Sequence, residues 1–264
     1  DVAITATNNN TVSIAAITPL SNFSFSSTGT VTVTGSATAS NTQTIKTPQV
    51  TITAVHPSAG TISQNTNKNI IATFKLDALY NYVIPTDITV TTAGTYIPAT
   101  DITQFSLYQN NTNNLTTPTL LGSITITGGA PDILTFTTTR GNAIAPGSSQ
   151  YLLLTVNVPL TGTDGNTVSI TTTPIANFGF EGQNGESVTE VGTDPATIGP
   201  VKTITGPRVN ILQVHPATGN ITQGTNDNQI ATYELSVTNL SSGFVNPVSI
   251  SLTTSGSYVA GDIA

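Results

Sequence analysis

The stretch Val50-Thr51-Ile52-Thr53-Ala54-Val55-His56-Pro57 returns 159 positions later as Val209-Asn210-Ile211-Leu212-Gln213-Val214-His215-Pro216. A repeat with this spacing sets the architecture before any motif is weighed, because each copy must be a unit that folds in the same way. The agreement continues: Gly60 to Asn67 (GTISQNTN) matches Gly219 to Asn226 (GNITQGTN), and Ile71-Ala72-Thr73-Phe74 matches Ile230-Ala231-Thr232-Tyr233. Thr91-Thr92-Ala93-Gly94-Thr95-Tyr96 and Asp101-Ile102 recur as Thr253-Thr254-Ser255-Gly256-Ser257-Tyr258 and Asp262-Ile263, at offsets of 162 and 161. Such drift is a change of loop length.

The start of the chain matches elsewhere. Asn10-Thr11-Val12-Ser13-Ile14 equals Asn166-Thr167-Val168-Ser169-Ile170, and Thr18-Pro19 through Asn22-Phe23-Ser24-Phe25 matches Thr173-Pro174 through Asn177-Phe178-Gly179-Phe180. Residues 1–47 therefore read as the C-terminal part of one repeat, 48–206 as a complete repeat and 207–264 as the N-terminal part of the next. The chain is expected to be a window on a longer tandem array. Its first residue, Asp1, aligns with Asn157 inside the expected strand Tyr151–Val158. A natural subunit seldom begins there unless neighbouring chains complete its ends, so a homo-oligomeric fibre or bundle is expected. The junctions Lys46-Thr47-Pro48 and Gly206-Pro207-Arg208 are short and carry Pro, which implies stiff stacking.

Within one unit, apolar residues alternate with Thr or Ser: Ile88 and Val90, Ile124 and Ile126, Leu134 and Phe136, Val168 and Ile170. Period two of this kind predicts half-buried strands. Val50–Val55, Ile70–Leu79, Phe105–Tyr108 and Tyr151–Val158 are further expected strands, the last apolar enough to be central. Gly128-Gly129, Gly141-Asn142, Pro146-Gly147, Asp164-Gly165-Asn166 and Asn184-Gly185 mark turns between them. No window holds a 3.6-residue apolar period. The expected fold class is all-β: tandem Ig-like antiparallel β-sandwich repeats, with eight to ten short strands per unit. At about 157 residues a unit can bury roughly two-thirds of its extended surface, enough for its own core.

Composition narrows the chemistry. The chain has no Cys, Met or Trp and two His, and its 13 acidic and 6 basic residues leave a net charge of −7. A cysteine zinc cluster, a disulfide framework and a thiol nucleophile are excluded. A nucleic-acid surface needs clustered Lys and Arg, which are missing, so no nucleic-acid partner is expected. No stretch approaches the roughly 20 apolar residues of a membrane span, so no membrane insertion is expected. With 53 Thr and 24 Asn, the polar half of the chain is largely uncharged.

Candidate functional residues each have a structural alternative. His56 and His215 close equivalent strands and precede Pro. As the only side chains that titrate near neutrality they could serve as general bases, yet an active site repeated along an array is rare, and a strand end held extended by Pro is the plainer reading. Asp101 and Asp262 recur after Gly-Thr-Tyr and Gly-Ser-Tyr and are the calcium candidates, since that cation takes carboxylate and carbonyl oxygens. They can equally cap a turn, and no Asp-x-Asp-x-Asp-Gly loop accompanies them. Glu181, Glu186, Glu190 and Asp194 form the densest acidic stretch, of the residue type that glycosidases use, but the matching Ser26–Ser40 has no carboxylate. Asn-x-Ser/Thr sequons at Asn9, Asn22, Asn110, Asn114, Asn220 and Asn239 are what this composition produces unaided. The tyrosines, Tyr80, Tyr82, Tyr96, Tyr108, Tyr151, Tyr233 and Tyr258, lie mostly in or beside expected strands, where cross-strand packing is their default use. No catalytic residue and no cofactor is expected beyond the calcium candidates.

The order V-x-I-x-x-V-H-P-x-x-G-x-I-x-Q-x-T-N, T-T-A-G-T-Y, D-I, G-N-T-V-S-I and N-F-x-F occupies Val50–Asn67, Thr91–Ile102, Gly165–Ile170 and Asn177–Phe180. It resembles the β-sandwich repeats of very large secreted surface proteins of the Bacteroidota, typically exported by the type IX system. The resemblance implies an extracellular or cell-surface location and an adhesive, stalk or filament role, and supplies no catalytic residues. The expected function is thus a non-catalytic repeat that extends and stiffens a surface fibre and associates with copies of itself. Two alternatives stand beside it: a module whose loop Gln109–Leu121 contacts surface glycans or host cells, and the non-catalytic stalk of a secreted polysaccharide-degrading enzyme.

Overall fold

The computed structural model describes residues 1–14, 24–32, 34–35, 39–129, 133–137, 141–192, 199–239, 244–259 and 261–262. Its strands are, in chain order, β1 (Thr11–Val12), β2 (Gln43–Thr44), β3 (Gln49–Ala54), β4 (Gly60–Ser63), β5 (Thr66–Leu79), β6 (Val83–Gly94), β7 (Gln104–Asn110) and β8 (Thr119–Thr125). They continue as β9 (Ile133–Thr137), β10 (Ser149–Val158), β11 (Thr167–Ile170), β12 (Phe178–Gly182), β13 (Thr189–Val191), β14 (Lys202–Thr205), β15 (Arg208–Gln213) and β16 (Tyr233–Thr238). A single 3-10 turn, Ile175–Asn177, is the helical content among the described residues. The repeat motifs at Thr18–Phe23, the sequon at Asn22, and Asp194 and Ile263 lie outside the described residues.

Strands β3 to β14 build a two-sheet sandwich. One sheet runs β13-β3-β5-β10-β7-β8; the other runs β12-β6-β11-β14-β4, with β9 paired to β6. The alternation that predicts strands also fills the space between the sheets. Phe74, Leu76, Phe105, Leu107, Leu152 and Leu154 from the first sheet share one buried cluster with Ile88, Val90, Leu134, Phe136, Val168, Ile170 and Ile204 from the second. β10 is central as expected: it pairs antiparallel with β5 from Ser149↔Asp77 to Val158↔Thr66 and with β7 from Tyr151↔Asn110 to Asn157↔Gln104. Its run Leu152-Leu153-Leu154 is buried on both faces, which is why it shows no alternation.

Two pairings depart from an all-antiparallel sandwich. β13 runs parallel to β3 and β14 parallel to β4. The cause is topological: β3 and β4 cross from the first sheet to the second, and β13 and β14 later make the same crossing in the same direction, so the end of the unit lies alongside its beginning. These short strands raise the sandwich's count to twelve, above the expected eight to ten, and at three and four residues they carry too little alternation to be read from the sequence.

The flanking segments repeat the unit's pairings at the repeat's own offsets. Thr11↔Thr44 and Val12↔Gln43 correspond to Thr167↔Thr203 and Val168↔Lys202, and the β15–β16 register from Arg208↔Thr238 to Gln213↔Tyr233 corresponds to β3–β5 from Gln49↔Leu79 to Ala54↔Phe74. Burial differs: Ile52 and Leu76 are 2% and 0% exposed, whereas their counterparts Ile211 and Leu235 are 61% and 46% exposed, with no second sheet over them among the described residues.

Phe74 is the keystone of the sandwich, fully buried and edge-on to His56 at 5.2 Å and Phe178 at 5.0 Å. Truncating such a ring removes transfer energy and leaves a cavity. Phe74→Ala is expected to cost about 3–5 kcal/mol in denaturant unfolding, while Tyr233→Ala, at the equivalent exposed position, leaves the main transition where it was.

Candidate functional site

The residues that recur between units form two corners of the fold. In the first, β3 ends at Ala54, Val55 N–H donates to the Thr73 carbonyl (3.0 Å), and Pro57 prevents further pairing. His56 takes over: its Nδ1 accepts the Thr73 N–H at 3.0 Å while its ring packs edge-on to Phe74. A backbone N–H can only donate, so the Nδ1 lone pair is occupied and the ring stands in for a ladder carbonyl. His215 does the same with Thr232 N–H (3.3 Å) and Tyr233 (5.2 Å, interplanar angle 90°). Both histidines are thus structural corner pieces.

The second corner holds Asp101, which is completely buried. One carboxylate oxygen accepts the Thr163 N–H (2.6 Å), and the other accepts the Ile97 N–H (2.6 Å) and the Asn166 Nδ2 amide (2.7 Å). The backbone closes the same loop, Asp101 N–H donating to the Ile97 carbonyl at 2.7 Å. Burial pushes the Asp101 carboxyl upward, but the Asn166 amide and the Ile97 and Thr163 N–H groups outweigh it and hold the acid below the usual carboxylate range. These three N–H donors satisfy most of the carboxylate's acceptor sites, so Asp101 staples the loop Ile97–Asp101 to the turn before β11. Asp262 repeats the local half of this arrangement, accepting Val259 N–H at 2.9 Å from an exposed position. No group of three or more His, Cys, Asp or Glu converges among the described residues.

The glycine and tyrosine of this motif serve the same corner. Gly94 has φ +121°, and a Cβ there would meet the Thr167 carbonyl oxygen at 2.2 Å, so only glycine lets β6 reach β11; Gly256 (φ +142°) is its counterpart. Tyr96 packs on Phe105 (6.1 Å) and shares a hydrogen bond with Thr92 at 2.8 Å, as Tyr258 does with Thr254.

The acidic stretch closes a turn. Glu186 accepts from Asn184 N–H (2.9 Å) and Asn184 Nδ2 (3.0 Å), and the Asn184 N–H holds its carboxyl below the usual range. Glu190 lies on the exposed edge strand β13. The Asn110 sequon is closed to modification in the folded chain: the residue is 6% exposed, and its Nδ2 donates to Thr112 Oγ1, Asn114 O and Thr116 O. Asn110 thereby braces the loop between β7 and β8 that the sequence marks as a contact loop. Neighbouring Gln109 exchanges two hydrogen bonds with the backbone of Asn142, at 2.8 and 2.7 Å. Asn142 and Gln150 join the loop from outside Gln109–Leu121, and no spacing signal announces them.

The unit junctions form a third recurring feature. Asp164 accepts the Gly206 N–H at 2.9 Å and pairs with the Arg208 guanidinium at 3.1 Å. At the preceding junction Asn8, the counterpart of Asp164, accepts the Thr47 N–H at 3.2 Å, and Lys46 Nζ donates to Asn9 Oδ1 at 2.6 Å. Comparison with protein-family models and with curated proteins finds no match.

Replacing Asp101 by Asn keeps the shape but turns an NH2 toward donors. We expect Asp101→Asn to lose about 1–3 kcal/mol at neutral pH. A carboxyl whose folded pKa is depressed contributes stability above its unfolded value of about 3.9, lost as pH falls through the folded value. Melting temperature followed downward from pH about 5 should therefore fall less steeply in Asp101→Asn than in the parent chain.

Proposed function

We propose that this chain is a non-catalytic structural repeat of an extracellular adhesin, stalk or filament, in which sandwich units follow one another over clamped junctions and lengthen a fibre. The observation that carries the reading is the junction clamp found twice: Asp164 on Gly206 and Arg208, and Asn8 on Thr47. Each clamp ties the segment leaving a unit to the turn before that unit's β11 or its equivalent, so the direction of the next unit is fixed by hydrogen bonds as well as by Pro48 and Pro207. A unit with its own core and a stiff exit adds length linearly with copy number.

Two further features favour this role over catalysis. The recurring His and Asp residues have their lone pairs committed to backbone N–H groups, leaving them as poor bases or nucleophiles. The surface carries few charges to keep like chains apart, which suits lateral association with copies of the same protein.

Small-angle scattering tests the clamp. Asp164→Ala should leave the melting temperature nearly unchanged while broadening the distance distribution of the chain, because the junction Gly206–Arg208 becomes a free linker. The same broadening should appear in the parent chain as pH falls through the Asp164 pKa, which the Gly206 N–H first and the Arg208 charge next hold below the ordinary carboxylate value. Identical scattering from parent and variant at all pH values would remove the stiff-junction reading.

A further inference from the structure

We propose that the cleft between the β7–β8 loop and the start of β10 is a binding site for one neutral sugar ring. Four segments converge on it, contributing Asn110 and Asn111, Thr117 and Thr119, Asn142, and Gln150, around a volume of about 180 Å3. That is below the roughly 300 Å3 where drug-sized ligand pockets begin, so it suits a single small ring. No charged, aromatic or large aliphatic side chain lines it. Amides and hydroxyls alone select a ligand that is uncharged and rich in hydroxyl groups, since an ion would find no counter-charge and an apolar ligand no apolar wall.

Three observations mark this cleft as a built site. Its wall is preorganised, because Gln109 and Asn110, 1% and 6% exposed, spend their amides on the backbones of Asn142 and of the 111–116 loop. Its rim carries Thr117 at φ +52°, a left-handed backbone that a β-branched residue adopts only when the surroundings impose it, and such strain gathers at ligand sites. Its floor holds Gln150, whose Oε1 is buried without a hydrogen-bond partner. The Gln χ3 torsion is broad, so a modest rotation turns that oxygen toward a ligand hydroxyl. On the rim, the exposed Asn142 donates through Nδ2 to Thr119 Oγ1 at 2.9 Å, and an amide nitrogen has a second hydrogen to give to a ligand.

A pyranose presents adjacent hydroxyls that donate and accept at once, matching an amide oxygen on the floor and an amide N–H on the rim. A site this small binds on the order of millimolar, which becomes useful when an array displays one per unit, because the second contact is made at high effective concentration. The inference does not depend on the array, and its test is separate from the scattering measurement.

The test is titration of the full chain with the methyl glycosides of glucose, galactose, mannose, fucose and N-acetylglucosamine, followed by amide chemical shifts, with glucuronate as the charged control and butanol as the apolar one. The expected result is saturable shifts confined to Asn111, Thr117, Asn142 and the Gln150 side chain with at least one neutral glycoside, and none with the controls. Gln150→Met should abolish the shifts while keeping or raising the melting temperature, since it removes an unpaired buried oxygen; a residue with a packing role only would lower the melting temperature and leave any shifts in place. Asn142→Ala, which loses only the rim amide, should weaken the response at least several-fold and covers the case in which Gln150→Met fails to fold. No saturable response at these residues with any neutral glycoside, an equal response to glucuronate, or shifts surviving in both variants would overturn the proposal.

Discussion

The pairing of β5 with β10 is the interaction on which the rest of the fold depends. These are among the longest strands of the sandwich, at 14 and 10 residues, and together they place Phe74, Leu76, Leu152 and Leu154 at the centre of its one core cluster. Each then recruits a neighbour on its other side, β3 on β5 and β7 on β10, so the first sheet grows outward from this pair. The His56 corner exists because β5 leaves a Thr73 N–H where β3 has already ended. Beside β16 the described residues include no counterpart of β10, and there the matching apolar residues lie open to solvent while the hairpin keeps its register.

Much of this was legible in the sequence, for reasons that differ by residue. Alternation at Ile88 and Val90, or at Leu134 and Phe136, reports directly which face is buried, and the unbroken Leu152-Leu153-Leu154 run reports a strand covered on both sides. The short strands β13 and β14 were illegible because their pairing depends on where distant ends of the unit meet. Asp101 was visible as a recurring carboxylate but not as a buried staple; its partners Thr163 and Asn166 lie more than sixty residues away, and only the fold brings them within 2.7 Å. Asn142 was visible only as half of a turn signal and Gln150 not at all, since a polar cleft assembled from four segments has no spacing of its own.

The repeated residues share one property that bears on function. His56, Asp101, Gly94, Tyr96 and the clamp residue Asp164 each complete a backbone or loop interaction at a strand end or turn, and most of these arrangements recur in the flanking segments. What recurs between the sequence repeats is the geometry of these corners and junctions. The polar cleft is lined by other residues, on a loop that buried amides brace. In the proposed role, a scaffold that fixes direction and a loop that offers contact are compatible in one repeat.

The central claim is that β5 and β10 organise the core of the sandwich β3 to β14, whereas β15 and β16 hold the β3–β5 register with no second sheet over them among the described residues. Native-state hydrogen exchange tests it most directly. The account predicts that the amides of Thr73 and Leu153 exchange only through global unfolding, while Thr232, the counterpart of Thr73, exchanges through local opening and orders of magnitude faster. Equal protection at Thr73 and Thr232 would contradict it.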